Sequence, residues 1–344
     1  MSINRTRFLG RAGVAVLAIS TLALTSACGG DASDSDGGDG GSEGPTSITI
    51  GVAAPTAEQS LPSVAAELGF FEEQGIEAEI SLIAGGPQIT AGLVGGSLDF
   101  GVYSAPGPEV GAVQSAPIKY VGVWTHLANL GLVVAPGIDS VEDLEGKTVA
   151  VSSPGTTTAI YTDMLLREAG MDPETSVTRL NVGGQGEALS AFASGQVDAA
   201  IFGAPVTYTA VASVPGAKIL IDYSEQDVAW PYAGIVTTDE MMDGDSDLIV
   251  RVLTALQAAA EAYQDPAQAD RVKDVITTFT NTQDADIVTQ AFDVAVRNID
   301  PSLMPREEDH ANVLEQLAIT TPQADGFPAQ DMLDSSFAEQ LDGN

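Results

Sequence analysis

The residues best suited to do chemistry in this sequence are small hydroxyl-bearing side chains in a loop, not a cluster of acids and histidines. The loop Ser153-Pro-Gly-Thr-Thr-Thr158 follows a predicted strand and precedes a predicted helix. Backbone N–H groups at a helix start bind anions, although Ser or Thr there is also an ordinary helix cap. Because open sheets bind ligands at the carboxyl ends of their strands, we predict that Ser153, Thr156 and Thr157 contact a ligand.

Other loops at predicted strand ends are rich in glycine and alanine, whose small size lets the backbone approach a ligand closely. Each loop alone could be an ordinary turn, but their shared position favours a common site. From them we predict ligand contacts at Gly85, Gly86, Ser104 and Gln185. The loops are Gly85-Gly86-Pro87-Gln88, Ser104-Ala105-Pro106-Gly107, Gly183-Gly184-Gln185-Gly186 and Gly203-Ala204-Pro205.

Aromatic side chains near these loops offer flat apolar surface to a ligand. Trp124, Trp230 and Tyr232 are expected where the chain crosses between two halves of the molecule, so we predict that they line a cleft. Tyr103 and Phe202 lie in predicted strands, and core packing is the expected role for both.

The chemical class of the ligand stays open at this stage. No Lys or Arg lies in the loops, and the nearest cation is His126, a residue type that more often has a structural role. An anion would therefore be held by neutral donors, which suits a weakly hydrated sulfonate and not a dianion. The aromatic residues suit a flat heterocycle or arene equally well.

Alternating strands and helices must position these loops. Gly69, Gly170 and Gly195 each follow a predicted helix, where a left-handed residue is expected. Strand–helix–strand units at this spacing predict parallel pairing, here in two α/β halves of similar plan. The predicted strands are 47–54, 77–83, 97–103, 147–152, 177–182 and 197–202, and the predicted helices are 61–68, 88–94, 157–169 and 187–194.

The part of the chain after about residue 245 is mostly helical by the same criteria, and we expect it to pack on the first half. We therefore predict an α/β fold of two lobes with mixed, mostly parallel sheets. Lobe I comprises 47–135 and 228–344, and lobe II comprises 136–227. The predicted helices of the C-terminal part are 247–263, 268–279, 284–299 and 306–318.

The composition excludes several classes of protein. The 344 residues include 48 acidic and 13 basic side chains, a net charge of −35, which lacks the clustered cations that nucleic acid needs. One cysteine and two distant histidines exclude a disulfide framework, a Cys-based zinc site and an HExxH site. Gly146-Lys147-Thr148 precedes a strand, and Val141 stands where a P-loop needs glycine. No metal or cofactor is predicted.

The N-terminal residues have the pattern of an export signal. Three arginines precede an uncharged apolar run at 13–24, which is too short to span a bilayer. The sequence Leu24-Thr-Ser-Ala-Cys28 resembles a bacterial lipobox, with Thr25 where Leu is commoner. We predict a signal peptide at 1–27, lipidation of Cys28, and a flexible acidic linker at 28–46 that tethers an exported protein to the outer face of the membrane.

Four stretches carry a resemblance to one family. The stretches are, in chain order, Glu67-Leu-Gly-Phe-Phe-Glu-Glu-Gln-Gly-Ile-Glu-Ala-Glu-Ile80, 96–102, 141–151 and 188–200. Together they resemble the solute-binding proteins of ABC importers for alkanesulfonates, taurine, nitrate and the thiamine pyrimidine precursor. The resemblance implies a type II periplasmic-binding fold in which two crossover strands join the lobes and a ligand is clamped between them. It also implies a permease and an ATPase as partners, and we expect a monomer.

The leading hypothesis is therefore a binding lipoprotein for uptake of a small organic anion, with a flat heterocycle as the alternative ligand. A sensory domain of the same fold is a second hypothesis, since tether and fold would be shared. An enzyme is a third: relatives of the fungal thiamine-pyrimidine synthase use a cysteine-rich iron motif, which this chain lacks because Cys28 is its one cysteine. We predict that the protein is not an enzyme.

Overall fold

A computed structural model describes residues 44–83, 85–153, 155–226 and 228–343. The chain from Gly44 onward forms one compact unit. The predicted signal peptide, Cys28 and all but the end of the predicted linker lie outside the described residues. Within these residues, no helix is both long enough and apolar enough to cross a membrane.

Ten strands form two sheets of five strands in the part of the chain that the structure describes. The first sheet has the order β2-β1-β3-β10-β4, with β10 antiparallel to both of its neighbours. The second has the order β7-β6-β8-β5-β9, with β5 antiparallel to β8 and β9. The strands are β1 Thr46–Val52, β2 Ile76–Leu82, β3 Phe100–Tyr103, β4 Ile118–Leu127, β5 Leu130–Val134, β6 Thr148–Val151, β7 Thr178–Asn181, β8 Ala199–Gly203, β9 Lys218–Asp222 and β10 Ala229–Thr238.

Helices connect and cover the strands. The C-terminal helices α9, α10 and α11 bury apolar faces together with α1, next to the first sheet. The helices are α1 Leu61–Leu68, α2 Phe70–Glu73, α3 Gly86–Val94, α4 Gly107–Val113, α5 Thr157–Glu168, α6 Gln185–Ala193, α7 Val206–Ser213, α8 Asp239–Gly244, α9 Ser246–Gln264, α10 Ala269–Thr280, α11 Ala285–Asn298 and α12 Glu307–Ala318.

The predicted two-lobed α/β class is confirmed, and most predicted elements fall within a few residues of the observed ones. Gly69 follows α1 with a φ of 91°, and its N–H bonds the carbonyls of the last helical turn. Strand β3 begins at Phe100 and not at 97. The reason is Asp99, whose carboxylate accepts hydrogen bonds from the backbone N–H and the hydroxyl of Thr49, so 97–99 form a turn.

The chain crosses between the sheets twice, at residues 128–129 after β4 and between β9 and β10. Strand Leu130–Val134 pairs in the second sheet, although the sequence analysis placed residues up to 135 in lobe I. We therefore use "first lobe" for the elements of the sheet containing β1 and "second lobe" for those of the sheet containing β5.

Candidate functional site

Loops at strand ends of the two sheets meet face to face. Ser104, which follows β3 in the first lobe, has its Oγ 2.9 Å from Oγ1 of Thr157, the first residue of α5 in the second lobe. Thr157 donates its own proton to the carbonyl of Ala105 at 2.6 Å, so Ser104 is the donor in the pair. Two predicted ligand contacts from different lobes are thus in direct contact.

A second contact between the lobes lies at the ends of β1 and β8. The N–H of Ala57 donates to the carbonyl of Ala204 at 3.4 Å. A Cβ added to Gly203 would lie 2.5 Å from the Tyr232 hydroxyl and 3.2 Å from Cγ2 of Thr56, so only glycine permits this approach. The N–H of Gly203 donates to Oε1 of Gln185 at 2.8 Å, which places that predicted residue beside the contact.

These contacts define the cleft, by which we mean the junction of the loop residues 53–60, 104–106, 152–153, 155–157, 183–185 and 203–205 with the two crossings. The two proline-containing loops correspond: β3 and β8 each end in a loop with a cis bond before proline, at Ala105–Pro106 and Ala204–Pro205, and each loop leads into a helix. The lobes therefore touch at these loops, and we call this arrangement the closed form.

Both tryptophans are buried at the crossings. Trp124 is 0 % exposed, and its indole N–H donates to the carbonyl of Glu58 at 2.8 Å. Trp230 is also 0 % exposed and donates to the carbonyl of Ala105 at 3.0 Å, while its ring meets Tyr161 edge-on at 4.9 Å. In the closed form the indoles hold the cleft loops in place, and their assignment as ligand contacts stays a prediction.

The hydroxyls of the loop before α5 bond mainly to each other. The carbonyl of Ser153 accepts from the N–H of Thr156 at 3.2 Å and from its hydroxyl at 2.7 Å, and Ser153 itself is exposed. Oγ1 of Thr156 also lies 2.5 Å from Oγ of Ser152. Of the three predicted residues of this loop, only Thr157 has a hydrogen bond across the lobes in the described structure.

The glycines of the predicted site in the first lobe pack within that lobe. Gly85 has a φ of 96°, a left-handed conformation that favours glycine. A Cβ on Gly86 would lie 3.2 Å from Cα of Gly107 and 3.3 Å from the ring of Tyr103. The role of Gly85 and Gly86 as ligand contacts stays a prediction. At Gly86 the close packing against Gly107 and Tyr103 is a reason for glycine whether or not a ligand binds there.

Neither histidine is a free cation for a ligand. His126 is buried, and its Nδ1 lies 2.5 Å from Oδ2 of Asp309. His310 is also buried, and its Nδ1 lies 2.9 Å from Oε1 of Glu109. Because Asp309 and His310 are neighbours on α12, the two pairs tie this helix to β4 and α4.

Glu58 is a cleft residue that the sequence analysis missed. It is 0 % exposed, and its Oε1 accepts a hydrogen bond from Nδ2 of Asn129 at the first crossing. Its Oε2 has no hydrogen-bond partner among the described residues. Burial raises the pKa of Glu58 to about 7, even though hydrogen bonds from Asn129, from its own backbone and from Thr56 act in the opposite direction. Its position after β1, equivalent to the other strand-end loops, was a signal that could have found it.

No group of three or more His, Cys, Asp or Glu is arranged to hold a metal ion in the described part of the chain. A cavity of about 250 Å³ lies elsewhere, within the first lobe, lined among others by Thr49, Glu79, Ser81 and Gln88. It lies on one lobe alone, so it does not use the opposed loops.

The comparisons with known proteins agree with this geometry. The family model described as NMT1/THI5 like matches residues 62–269, which is more than half of the chain. The chain belongs to the NMT1/THI5-like family. A protein of Brucella abortus that is named as a binding protein is 27 % identical over 251 residues, covering 71 % of this chain and 75 % of the relative.

Solved structures share the fold with little sequence identity. The alkanesulfonate-binding protein SsuA from Xanthomonas axonopodis, bound to MOPS, has a TM-score of 0.67 at 17 % identity, covering 87 % of this chain and 99 % of that one. The desulfurization enzyme DSZB has a TM-score of 0.64 at 16 % identity over 87 % and 99 % of the two chains. The fold of this family member therefore occurs in both a binding protein and an enzyme.

Proposed function

We propose that this protein is the extracytoplasmic solute-binding component of an ABC importer, which captures a small organic solute between its lobes and delivers it to a permease. The observation that carries the proposal is the pair of contacts between opposed strand-end loops, Ser104 to Thr157 and Ala57 to Ala204. In this proposal the lobes separate to admit a solute, and these loops hold it when the lobes come together again. The binding protein of Brucella abortus and the sulfonate-binding SsuA support the same role.

The solute is organic in this proposal and is held by hydroxyl and backbone groups. The sequence analysis favoured a sulfonate-like or nitrate-like anion first, with a flat heterocycle or arene as the alternative. The first class is supported by the hydroxyls of Ser104 and Thr157 and by the start of α5, where N–H groups favour negative charge by about 0.3–1 kcal/mol when exposed. Such a contribution is small beside the roughly 8 kcal/mol of a micromolar complex, so lobe closure must supply the remainder.

A lipid anchor on Cys28 completes the proposal, because a binding protein that is tethered at the outer face stays near its permease. The acidic, glycine-rich residues that follow Cys28 suit a flexible tether. In this proposal the protein acts as a monomer.

The test is a thermal-shift screen of the purified chain against sulfonates, nitrate, bicarbonate, pyrimidines, flavins and aromatic carboxylates. A solute at 100 times its Kd stabilises the folded state by about 2.7 kcal/mol. Thr157→Val removes the hydroxyl that links the lobes, so we expect about tenfold weaker binding of the solute that the screen finds.

The matched control is Thr289→Val, whose hydroxyl donates to Ala285 on the exposed side of α11. We expect this control to bind as tightly as the unchanged chain. Equal binding by Thr157→Val and Thr289→Val would contradict a site between the lobes.

A further inference from the structure

The lobes also meet through an apolar contact, apart from the hydroxyl pair of Ser104 and Thr157. Helices α1, α9, α10 and α11 share one cluster of buried apolar residues with the first sheet, which we call the first-lobe core. Ala204 of the second lobe is a buried member of this core, next to its hydrogen bond with Ala57. Tyr208, four residues further on α7, packs against the same core. The start of α7 therefore reaches from the second lobe onto the first.

The ring of Tyr208 lies close to α11 of the first lobe. Helix α7 runs beside α11, and burial raises the pKa of the Tyr208 phenol to about 12. The charged groups that act on the same phenol are Asp222, Glu58 and Asp293, which raise its pKa further, and Arg297, which lowers it. All but Asp222 belong to the first lobe, and Asp293 and Arg297 lie one turn apart on α11.

Other side chains hold α7 to its own lobe. Ala210 is 0 % exposed within a cluster of the second lobe, and Val211 packs against that cluster. The hydroxyl of Thr207 donates to the carbonyl of Phe202 on β8 at 2.8 Å. Since α7 is fixed to the second lobe, the contact of Tyr208 with the first-lobe core exists only when the lobes touch.

The two contacts between the lobes differ in chemistry. At Ser104 and Thr157 each hydroxyl can exchange its present partner for a polar group of a solute. At Tyr208 the contact is packing against apolar residues, which needs no such exchange. Tyr208 also lies beyond the cleft loop 203–205, on α7 itself. Its contact therefore favours closure whatever the solute is.

We propose that Tyr208 is a positioning residue, which stabilises the closed form by packing on the first-lobe core and does not contact the solute. This role rests on the proposed function, because closure matters only to a protein whose lobes open for a solute. The apparent affinity of a solute that binds the closed form is proportional to the closed fraction. Tyr208 therefore scales the affinity for every solute by the same factor.

The test measures the closed fraction without any solute. Spin labels at Glu72→Cys on α2 and Gln196→Cys after α6, both exposed positions, report the distance between the lobes in the full chain carrying Cys28→Ser. We expect Tyr208→Ala to lower the ratio of closed to open molecules about tenfold, because part of a buried aromatic side chain is lost. Urea unfolding checks that each variant is folded.

Two controls separate this role from a general loosening of α7. Tyr208→Phe keeps the ring and should keep the closed fraction. Val211→Ala shortens a side chain of the same helix that packs on its own lobe, so it should leave the distances unchanged. The comparison is repeated with Thr157→Val, where the hydroxyl contact is already lost, so that the equilibrium stays within the measurable range.

The outcomes distinguish this role from the proposed function. Equal distance distributions for Tyr208→Ala and the unchanged chain, with and without Thr157→Val, would overturn the role of Tyr208 and leave the cleft as a solute site. An equal shift in Val211→Ala would overturn it as well. The proposed function fails separately, if sulfonates, nitrate, bicarbonate, pyrimidines, flavins and aromatic carboxylates all leave the distance in the unchanged chain unaltered.

Discussion

Single residues decide how closely the two lobes can approach. At Gly203 the space that a side chain would need is already taken by the Tyr232 hydroxyl and by Thr56. At Thr157 a single hydroxyl group bonds both to a carbonyl and to a hydroxyl of the other lobe. These groups act on closure, because the contacts they make exist only when the lobes touch.

Gly203→Ala should therefore weaken solute binding more than it weakens the fold. The added methyl group lies 2.5 Å from the Tyr232 hydroxyl in the closed form. Overpacking of this kind costs about 1–3 kcal/mol, which is about fivefold to hundredfold in affinity. Titration calorimetry measures the effect. Gly244→Ala, at the end of α8 and outside the cleft loops, is the control, because no atom lies within 4 Å of the new Cβ there. Equal affinities of the two variants would show that Gly203 does not limit closure.

Glu58 should make the stability of the folded chain depend on pH. Its pKa rises from 4.5 unfolded to about 7 folded, so the folded state binds more protons between these values. The free energy of unfolding therefore falls as pH rises from about 4.5 to 7, by about 3 kcal/mol for this group. The groups that share its electrostatic field are the phenols of Tyr208, Tyr232 and Tyr263, which stay neutral over this range.

Urea unfolding of the unchanged chain and of Glu58→Gln across that pH range checks this expectation. The difference between their unfolding free energies should change with pH, whereas the many exposed carboxylates contribute alike to both. A difference that stays constant with pH would show that Glu58 is not protonated on folding.

At the scale of elements, α12 is held by two buried acid–histidine pairs, and the helix supplies the acid of one pair and the histidine of the other. Asp309 on the helix meets His126 of β4, and His310 on the helix meets Glu109 of α4. The same helix packs its apolar residues against β10, which begins at the second crossing. The C-terminal part therefore braces the strand that returns the chain to the first lobe.

His310→Ala should destabilise the fold strongly. It leaves Glu109 buried with no partner, and breaking such a pair costs about 3–5 kcal/mol. Glu315→Ala, an exposed position on the same helix, should change the unfolding free energy by less than about 0.5 kcal/mol. Urea denaturation of both variants measures the contrast, and a loss below about 1 kcal/mol in His310→Ala would show that the pair contributes little.

The sequence predicted regular elements well because their signals are local. Periodicity located α1 and α9 within one or two residues, and glycines marked helix ends such as Gly69. The crossing strands β4 and β10 were expected only through the family resemblance, since their burial depends on partners distant in sequence. Glu58 follows β1 as the other cleft loops follow their strands, but its burial depends on Asn129 and on the second lobe, which no local pattern reveals.

At the scale of the whole molecule, the cleft is formed by loops from both helix-covered sheets. It is not a pocket within one lobe. The lobes are joined by two crossings, and among the described residues no strand of one sheet pairs with a strand of the other. A solute that bridges the lobes would favour the closed form by its contacts with both. The proposed membrane attachment acts on the same scale, because it would determine where the whole body meets the proposed permease.

Cys28→Ser should release the protein from the membrane. The change removes the thiol to which we assign the lipid, while the compact unit from Gly44 onward is unaltered. Cell fractionation with immunodetection should move the protein from the membrane to the soluble fraction, with unchanged solute affinity. Continued retention in the membrane fraction would contradict lipid anchoring.

The chain contains two tryptophans, and both are buried at the crossings with their indole N–H groups bonded to cleft loops. Trp230 also meets Tyr161 of α5, in the second lobe, edge-on. We therefore expect the emission of Trp230 to shift to longer wavelength if the lobes separate and water reaches its indole, and to shift back when a solute closes them. In the proposed function, stopped-flow fluorescence should therefore follow closure of the lobes without any attached dye.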